Sequence, residues 1–412
     1  MSRPCELSAI EARKLIAAKS LSPVELVDDC IARIEAVNSA VNAVVADCFE
    51  RAREESRIAE AAVVKGNDLG ALHGLPLGIK DLNVSEGIRT TFGSLIYKDH
   101  VPDKDERIVA ALRQAGAIAL CKTNTPEFGA GANTVNKVYG PTRNPFDTAR
   151  TCGGSSGGSA VALACDMMPI CTGSDTGGSL RIPAAFCGVV AIRGTPGLVP
   201  SDRRVVGLTT YNVQGPMART VADAALMLSA MAGSDACDPL ARPLEPSSYA
   251  EIEATDLSLL RAAFSEDLGF AQVDNGIRNT FKNCIARIAP LFRRCEPRNP
   301  ELKESSRVFW LIRGLHYLAA QLQNYRLHRD LLGPNVISNV EAGLAMKPED
   351  IGWAHAECTA CIAGFRSSLR ISSCSSVPPW PSRPFPWSSF SAPTSTGSSS
   401  RTTSSGRISR RD

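Results

Sequence analysis

Hydrophobic spacing changes character part-way along this chain. As far as Lys65, apolar residues recur at helical intervals: Ile10, Leu15 and Ile16, then Leu26, Cys30, Ile31 and Ile34, each set forming one face of a helix. Ser8-x-x-Glu11 is a capping box, which predicts a first helix of about ten residues ending near Lys19. Ser22-Pro23-Val24-Glu25 opens the second, with serine at the cap and proline at the first helical position. Asn42 to Ala46 reads as a strand, and the charged, alanine-rich run from Phe49 to Lys65 reads as a surface helix.

From Leu75 onward the apolar residues come in short unbroken runs. Leu75-Pro-Leu-Gly-Ile-Lys80, Gly116-Ala-Ile-Ala-Leu-Cys121, Met167 to Cys171 and Val189 to Ile192 are separated by helical segments. Among these are Arg107 to Ala115 and Thr220 to Ala232, the latter opened by Thr220-x-x-Asp223. Unbroken apolar strands alternating with helices predict an α/β sheet covered on both faces. Leu257 to Phe264 reads as a further strand, and no internal repeat is present.

Composition adds bounds. At 412 residues the chain can bury a large core, and 44% hydrophobic with 21% charged residues is a globular balance. A net charge of +3 gives no electrostatic reason to expect nucleic acid or an anionic membrane as partner. The opening M-S-R-P-C-E-L-S lacks the apolar core of a signal peptide and no run is long enough to span a bilayer, so a cytoplasmic location is expected. Of the 14 cysteines most, including Cys30, Cys165, Cys171 and Cys187, sit singly in apolar segments and are expected to be reduced and buried. Cys358-x-x-Cys361 has no second pair and no histidine at ligand spacing, so no metal is expected.

Candidate chemistry lies between Thr151 and Arg181, where two glycine-framed serine clusters follow one another: T-C-G-G-S-S-G-G-S-A and G-S-D-T-G-G-S-L-R. The apolar runs Ala160 to Ala164 and Met167 to Cys171 read as buried elements, which separates these clusters from a flexible linker. Neither a P-loop nor a dinucleotide fingerprint has this spacing. Asp175-Thr176-Gly177-Gly178-Ser179 places successive amides just before a hydroxyl. Ser179 is therefore the candidate nucleophile, with the amides around Thr176, Gly177 and Gly178 as an oxyanion hole.

Five segments in order, Gly74-Leu-Pro-Leu-Gly-Ile-Lys80-Asp, Lys122-Thr-Asn-Thr-Pro-Glu-Phe128, Gly140-Pro-Thr-Arg-Asn-Pro145, Gly153-Gly-Ser-Ser-Gly-Gly-Ser159 and Asp175 to Pro183, resemble the amidase signature family of amide hydrolases. The resemblance extends over roughly residues 5 to 355. It implies a single large α/β domain, with a mixed central sheet under helices on both faces, that cleaves carboxamides with neither metal nor nucleotide cofactor. By position it implies Ser179 as acylated nucleophile, Ser155 as a bridging serine after a cis peptide, and Lys80 as base. The residues fit these roles: none of the 5 histidines lies in a motif that pairs it with Ser179, and Lys80 ends an apolar run whose burial would favour its neutral form. Ser156 and Ser159 read as hydrogen-bond donors or a helix cap, and Asp175 with Arg181 as a pair bracing the nucleophile loop.

The expected layout is one domain over 1–365, with N-terminal helices over 1–66, a signature core over 70–235 and a variable region over 236–360 that carries no legible motif. The expected substrate is a small-molecule amide, and the resemblance leaves room for a homodimer. The competing reading is the A subunit of a glutamyl-tRNA amidotransferase, which the segment Thr123 to Phe128 resembles less than it does the free amidases; an inactive relative is the third. From Arg366 to Asp412 there is no lysine and no acidic residue before Asp412, and serine, arginine and proline crowd the chain. That tail is expected to be disordered or, after about Thr359, to be read from a displaced frame, leaving a poorly soluble or weakly active chain.

Overall fold

The structure, a computed structural model, describes residues 3–250, 252–302, 304–369, 374–378 and 382–388. By packing it divides into two compact units, one of residues 1–252 with 330–333 and 386–388, the other holding the rest.

The first unit begins with α1 (Ala9–Ala17), α2 (Pro23–Val41), the strand β1 (Val44–Asp47) and α3 (Phe49–Lys65). Both expected capping boxes are present, with Ser8 and Ser22 accepting backbone N–H groups while Glu11 and Glu25 reach back. The strands that follow are β2 (Pro76–Lys80), β3 (Ile118–Thr123), the short pair β4 (Val135–Asn136) and β5 (Gly140–Pro141), β6 (Ile170–Asp175), β7 (Val190–Ala191) and β8 (Val213–Ala218). Between them lie α4 (Arg107–Gln114), α5 (Gly157–Ala164) and α6 (Arg181–Cys187), with α7 (Val221–Met231) after β8.

Six strands form one sheet in the order β1-β3-β2-β6-β8-β7. The centre, β3-β2-β6, is parallel, and β1, β8 and β7 add antiparallel neighbours, so the sheet is mixed. Every residue of β2, β3 and β6 is buried, as expected of strands covered on both faces. Lys80 is the last residue of β2 and Asp175 the last of β6; both therefore emerge at the carboxyl end of the parallel core, where open α/β sheets place ligands.

The second unit carries a three-stranded sheet, β10-β9-β11, with both outer strands parallel to β9 (Arg261–Phe264). Its other strands are β10 (Arg294–Pro297) and β11 (Cys374–Ser376). Its helices are α8 (Asn275–Ile288), α9 (Ser305–Leu327), α10 (Pro334–Leu344) and α11 (Pro348–Leu369). Gly314 and Gly343 let α9 and α10 touch: a Cβ on Gly343 would stand 2.6 Å from the Gly314 carbonyl oxygen.

Several expectations are corrected. The strand expected over Met167–Cys171 starts at Ile170 and runs on to Asp175, through residues that read as a glycine loop. Gly173 sits inside it because any Cβ there would lie 2.4 Å from a methyl of Leu180. Cys165, expected to be buried, is half-buried at the C-terminal end of α5, whereas Cys30, Cys171 and Cys187 are buried; all four are free thiols. Cys358 and Cys361 lie one turn apart on α11, and no group of three metal-ligating side chains occurs among the described residues.

Stretches of the tail are among the described residues. Helix α11 continues to Leu369, residues 374–376 pair with β9, and Pro386 forms an isolated antiparallel bridge with Arg150. Residues 370–373, 379–381 and 389–412 lie outside the described residues.

Candidate active site

Lys80 is fully buried at the end of β2, and its ammonium is hydrogen-bonded to three hydroxyls. Nζ donates to Ser155 Oγ at 2.7 Å, Ser156 Oγ at 2.8 Å and Ser174 Oγ at 3.0 Å. Burial pushes its pKa down to about 7, against the opposing pull of Asp175. Its backbone is held too, since Lys80 N donates to Thr172 Oγ1 at 2.8 Å, and Thr172 Oγ1 donates to Asn83 Oδ1 at 2.7 Å.

The first serine cluster wraps over this amine. The Gly154–Ser155 peptide is cis, and Gly153 before it has φ +80°. Ser156 occupies the cap position of α5, yet its hydroxyl makes no capping bond. It accepts from Lys80 and from Ser174 N (3.3 Å) and donates to the Ser174 carbonyl at 3.4 Å. Ser159 points elsewhere, donating to the Thr172 carbonyl at 2.9 Å and lying 2.7 Å from Thr123 Oγ1.

Ser179 sits in the turn between β6 and α6, half-buried, with its carbonyl accepting Ser156 N at 3.2 Å. The two serine clusters are therefore joined by a backbone hydrogen bond. Asp175, wholly buried, organises this turn: Oδ1 accepts Gly178 N (2.8 Å) and Oδ2 accepts Leu180 N (3.2 Å). Arg181 donates to both carboxylate oxygens at 3.1 Å, as Arg193 does to Oδ1. Burial alone would raise the Asp175 pKa, but the Arg181 hydrogen bonds and the two guanidiniums hold it below the usual carboxylate value.

The Gly178 amide, expected to face a substrate, is thus committed to Asp175. The amides of Thr176, Gly177 and Ser179 make no hydrogen bond to other described residues, and Gly178 contributes its backbone shape, φ +111°. Sequence reasoning missed Ser174 and Arg193. Ser174 was legible in principle, because it lies two residues from Thr172 and so on the same face of β6; Arg193, just past β7, carried no signal.

The family model described as Amidase matches residues 25–341. The chain belongs to the amidase signature family. An acylamidase of Rhodococcus erythropolis is 40% identical over 310 residues, 74% of this chain and 64% of that protein. The A subunit of the glutamyl-tRNA(Gln) amidotransferase of Carboxydothermus hydrogenoformans is 38% identical over 307 residues, 74% of this chain and 63% of its own. Among solved structures, a bacterial aryl acylamidase of the amidase signature family superposes with a TM-score of 0.85 at 25% identity, covering 92% of this chain and 81% of the other. The chain spans less than two thirds of the length of these two curated relatives. No helix among the described residues is long and apolar enough to cross a membrane.

Proposed function

We propose that this chain is an amidase that hydrolyses a small-molecule carboxamide through an acyl-enzyme on Ser179. The observation that carries this reading is the setting of Lys80: an amine fully buried among hydroxyls, with its pKa pushed down to about 7, is a base available at neutral pH. Ser179 Oγ attacks the carboxamide carbon while its proton passes to Ser155 Oγ and the Ser155 proton passes to Lys80 Nζ. The negative charge that develops on the carbonyl oxygen is met by the amides of Thr176, Gly177 and Ser179. Lys80 returns the proton through Ser155 to the departing ammonia or amine. Water then attacks the ester by the same relay and releases the carboxylate.

The purified chain should release ammonia from simple carboxamides, and an electrophilic inhibitor should label Ser179 as read by mass spectrometry. Ser179→Ala should lose hydrolysis with the fold intact, since it removes the attacking oxygen and little volume. Label on another residue, or an active alanine variant, would contradict the assignment.

A second reading, the A subunit of a glutamyl-tRNA amidotransferase, is favoured by the 38% identity to such a protein. The same assay separates the two, because a chain that works only within a complex would leave simple amides intact when purified by itself.

A further inference from the structure

Two phenylalanines hold backbone angles that bulky residues avoid, and they hold them against each other. Phe92 has φ +54° and Phe128 φ +47°, both in the left-handed region. Phe128 N donates to the Phe92 carbonyl at 2.8 Å. Their rings stack with centroids 6.3 Å apart and 18° between planes. Tyr97 stands edge-on to both, at 5.3 Å from Phe92 and 6.1 Å from Phe128. Left-handed bulky residues persist only where their surroundings hold them, and they concentrate at functional sites.

The position of this cluster ties it to the serines. Phe92 lies on the loop that leaves Lys80, and Phe128 on the loop that leaves β3, so both loops rise from the carboxyl end of the parallel core. Gly129, next to Phe128, has φ +71°, and a Cβ there would stand 3.4 Å from Ser155 Oγ. The three rings are half-buried, and Phe92 also stacks on His100, with centroids 6.2 Å apart, and lies 5.8 Å from the Arg203 guanidinium, so the open ring surface is offered chiefly by Tyr97 and Phe128. Polar bonds hold the loops in place: Asp81 accepts Thr91 N (3.0 Å) and Thr91 Oγ1 (2.6 Å), and Ser94 Oγ donates to Glu127 at 2.7 Å.

We propose that Phe92, Tyr97 and Phe128 form a seat for an aromatic ring carried by the substrate, making the site selective for aryl amides over saturated amides of the same size. An aromatic ring gains offset or edge-on contact with its neighbours that a cyclohexyl ring of similar bulk does not. This inference rests on the amide-hydrolase reading above.

Two matched pairs of substrates test it on the full chain. Phenylacetamide against cyclohexylacetamide places the ring on the acyl side; N-benzylacetamide against N-(cyclohexylmethyl)acetamide places it on the amine side with leaving amines of similar basicity. In at least one pair kcat/KM should favour the aryl member by about fivefold to tenfold, the upper part of what an aromatic contact gives, and the pair that responds shows which side the seat serves. Tyr97→Leu should reduce that preference to within about twofold, and Tyr97→Phe should keep it, since the ring and not the hydroxyl makes the contact. Phe128→Leu serves as the second variant should Tyr97→Leu fail to fold. Equal rates within both pairs, or a preference untouched by Tyr97→Leu, would overturn the proposal. Affinity measured on Ser179→Ala repeats the comparison without turnover. An aryl preference in binding, with no hydrolysis by the intact chain, would leave the seat standing and remove the amidase reading. Hydrolysis without aryl preference would do the reverse.

Discussion

Lys80 Nζ and Ser155 Oγ lie 2.7 Å apart, and the amine has two further hydroxyl neighbours, Ser156 and Ser174. An ammonium can donate to all three, whereas a neutral amine has two protons and one lone pair, so one hydroxyl must then donate back. Ser156 Oγ already donates to the Ser174 carbonyl. That leaves Ser155 and Ser174, and of these Ser155 is the one in the glycine-framed cluster that is hydrogen-bonded to the Ser179 carbonyl through its neighbour Ser156. In the proposed relay that hydroxyl is Ser155.

The rate of hydrolysis should rise with pH through about 7, as the Lys80 ammonium gives up its proton and the free base accumulates. Lys80→Met should lose nearly all activity and, in whatever remains, the rising limb. A pH–rate profile for kcat/KM on wild type and variant checks this, and an unchanged limb in Lys80→Met would remove the lysine from the relay.

The same depressed pKa makes a statement about stability. In the unfolded chain Lys80 returns to about 10.5, so between about pH 7 and 10.5 the unfolded state binds more protons and the folded state gains stability as pH rises. Below about pH 7 both states are protonated, and the cost of a buried ammonium is present in full. Lys80→Met lacks this dependence. Its stability relative to wild type should be most favourable at pH 6 and should decline by about 1.4 kcal/mol per unit above pH 7, about 3 kcal/mol by pH 9. Urea midpoints at pH 6, 7.5 and 9 read the slope, and parallel curves would contradict it.

Asp175→Asn should cost about 3 kcal/mol, toward the low end for breaking a buried pair because Arg181 is 49% exposed and water screens it. The variant keeps the shape but leaves two guanidiniums facing a neutral amide, so the turn carrying Ser179 loosens and kcat should fall with it. The wild-type carboxylate has its pKa below the usual 3.8, so its stabilisation is complete above that value and fades only as pH falls further, through the folded pKa. The gap between the two proteins should therefore be equal at pH 7 and pH 5. A gap that closes within that range would mean the pair is not what holds the turn.

What was legible in the chain followed local rules. Helices α1 and α2 were readable because their caps and apolar faces lie within one turn of each other, and α3, which has no side-chain cap, was readable from its charged, alanine-rich run and is bounded as expected at Phe49–Lys65. Of the proposed relay, Ser179 stood out by its framing glycines, whereas Lys80 and Ser155 were named only through the resemblance to the amidase signature family; the folded chain brings those two within 2.7 Å. Strand β8 was not, because Gly215 and Pro216 interrupt its apolar residues and its place depends on pairing with β6 and β7. Helices α8 to α11 carry no motif, and Arg193 acts on Asp175 from 18 residues away, a contact that only the folded chain creates.

The tail tests how far composition can be trusted. From Arg366 the chain is crowded with serine, arginine and proline, the composition from which a displaced frame was expected, yet β11 pairs with β9 in parallel register. The Trp387 carbonyl accepts Asn133 Nδ2 at 2.7 Å, and the Arg143 guanidinium lies 6.0 Å from the Trp387 ring. Without β11, β9 becomes an edge strand with a row of open amides and carbonyls, a template for pairing between molecules. A chain ending at Leu369 should therefore aggregate more readily than the full chain at equal concentration, by light scattering, and should unfold at a lower urea concentration. If the shortened chain is as soluble, stable and active as the full one, the contacts after Leu369 contribute nothing, as a displaced frame would have it. The gene then decides the matter: another frame near codon 359 should continue the resemblance to the amidase signature family.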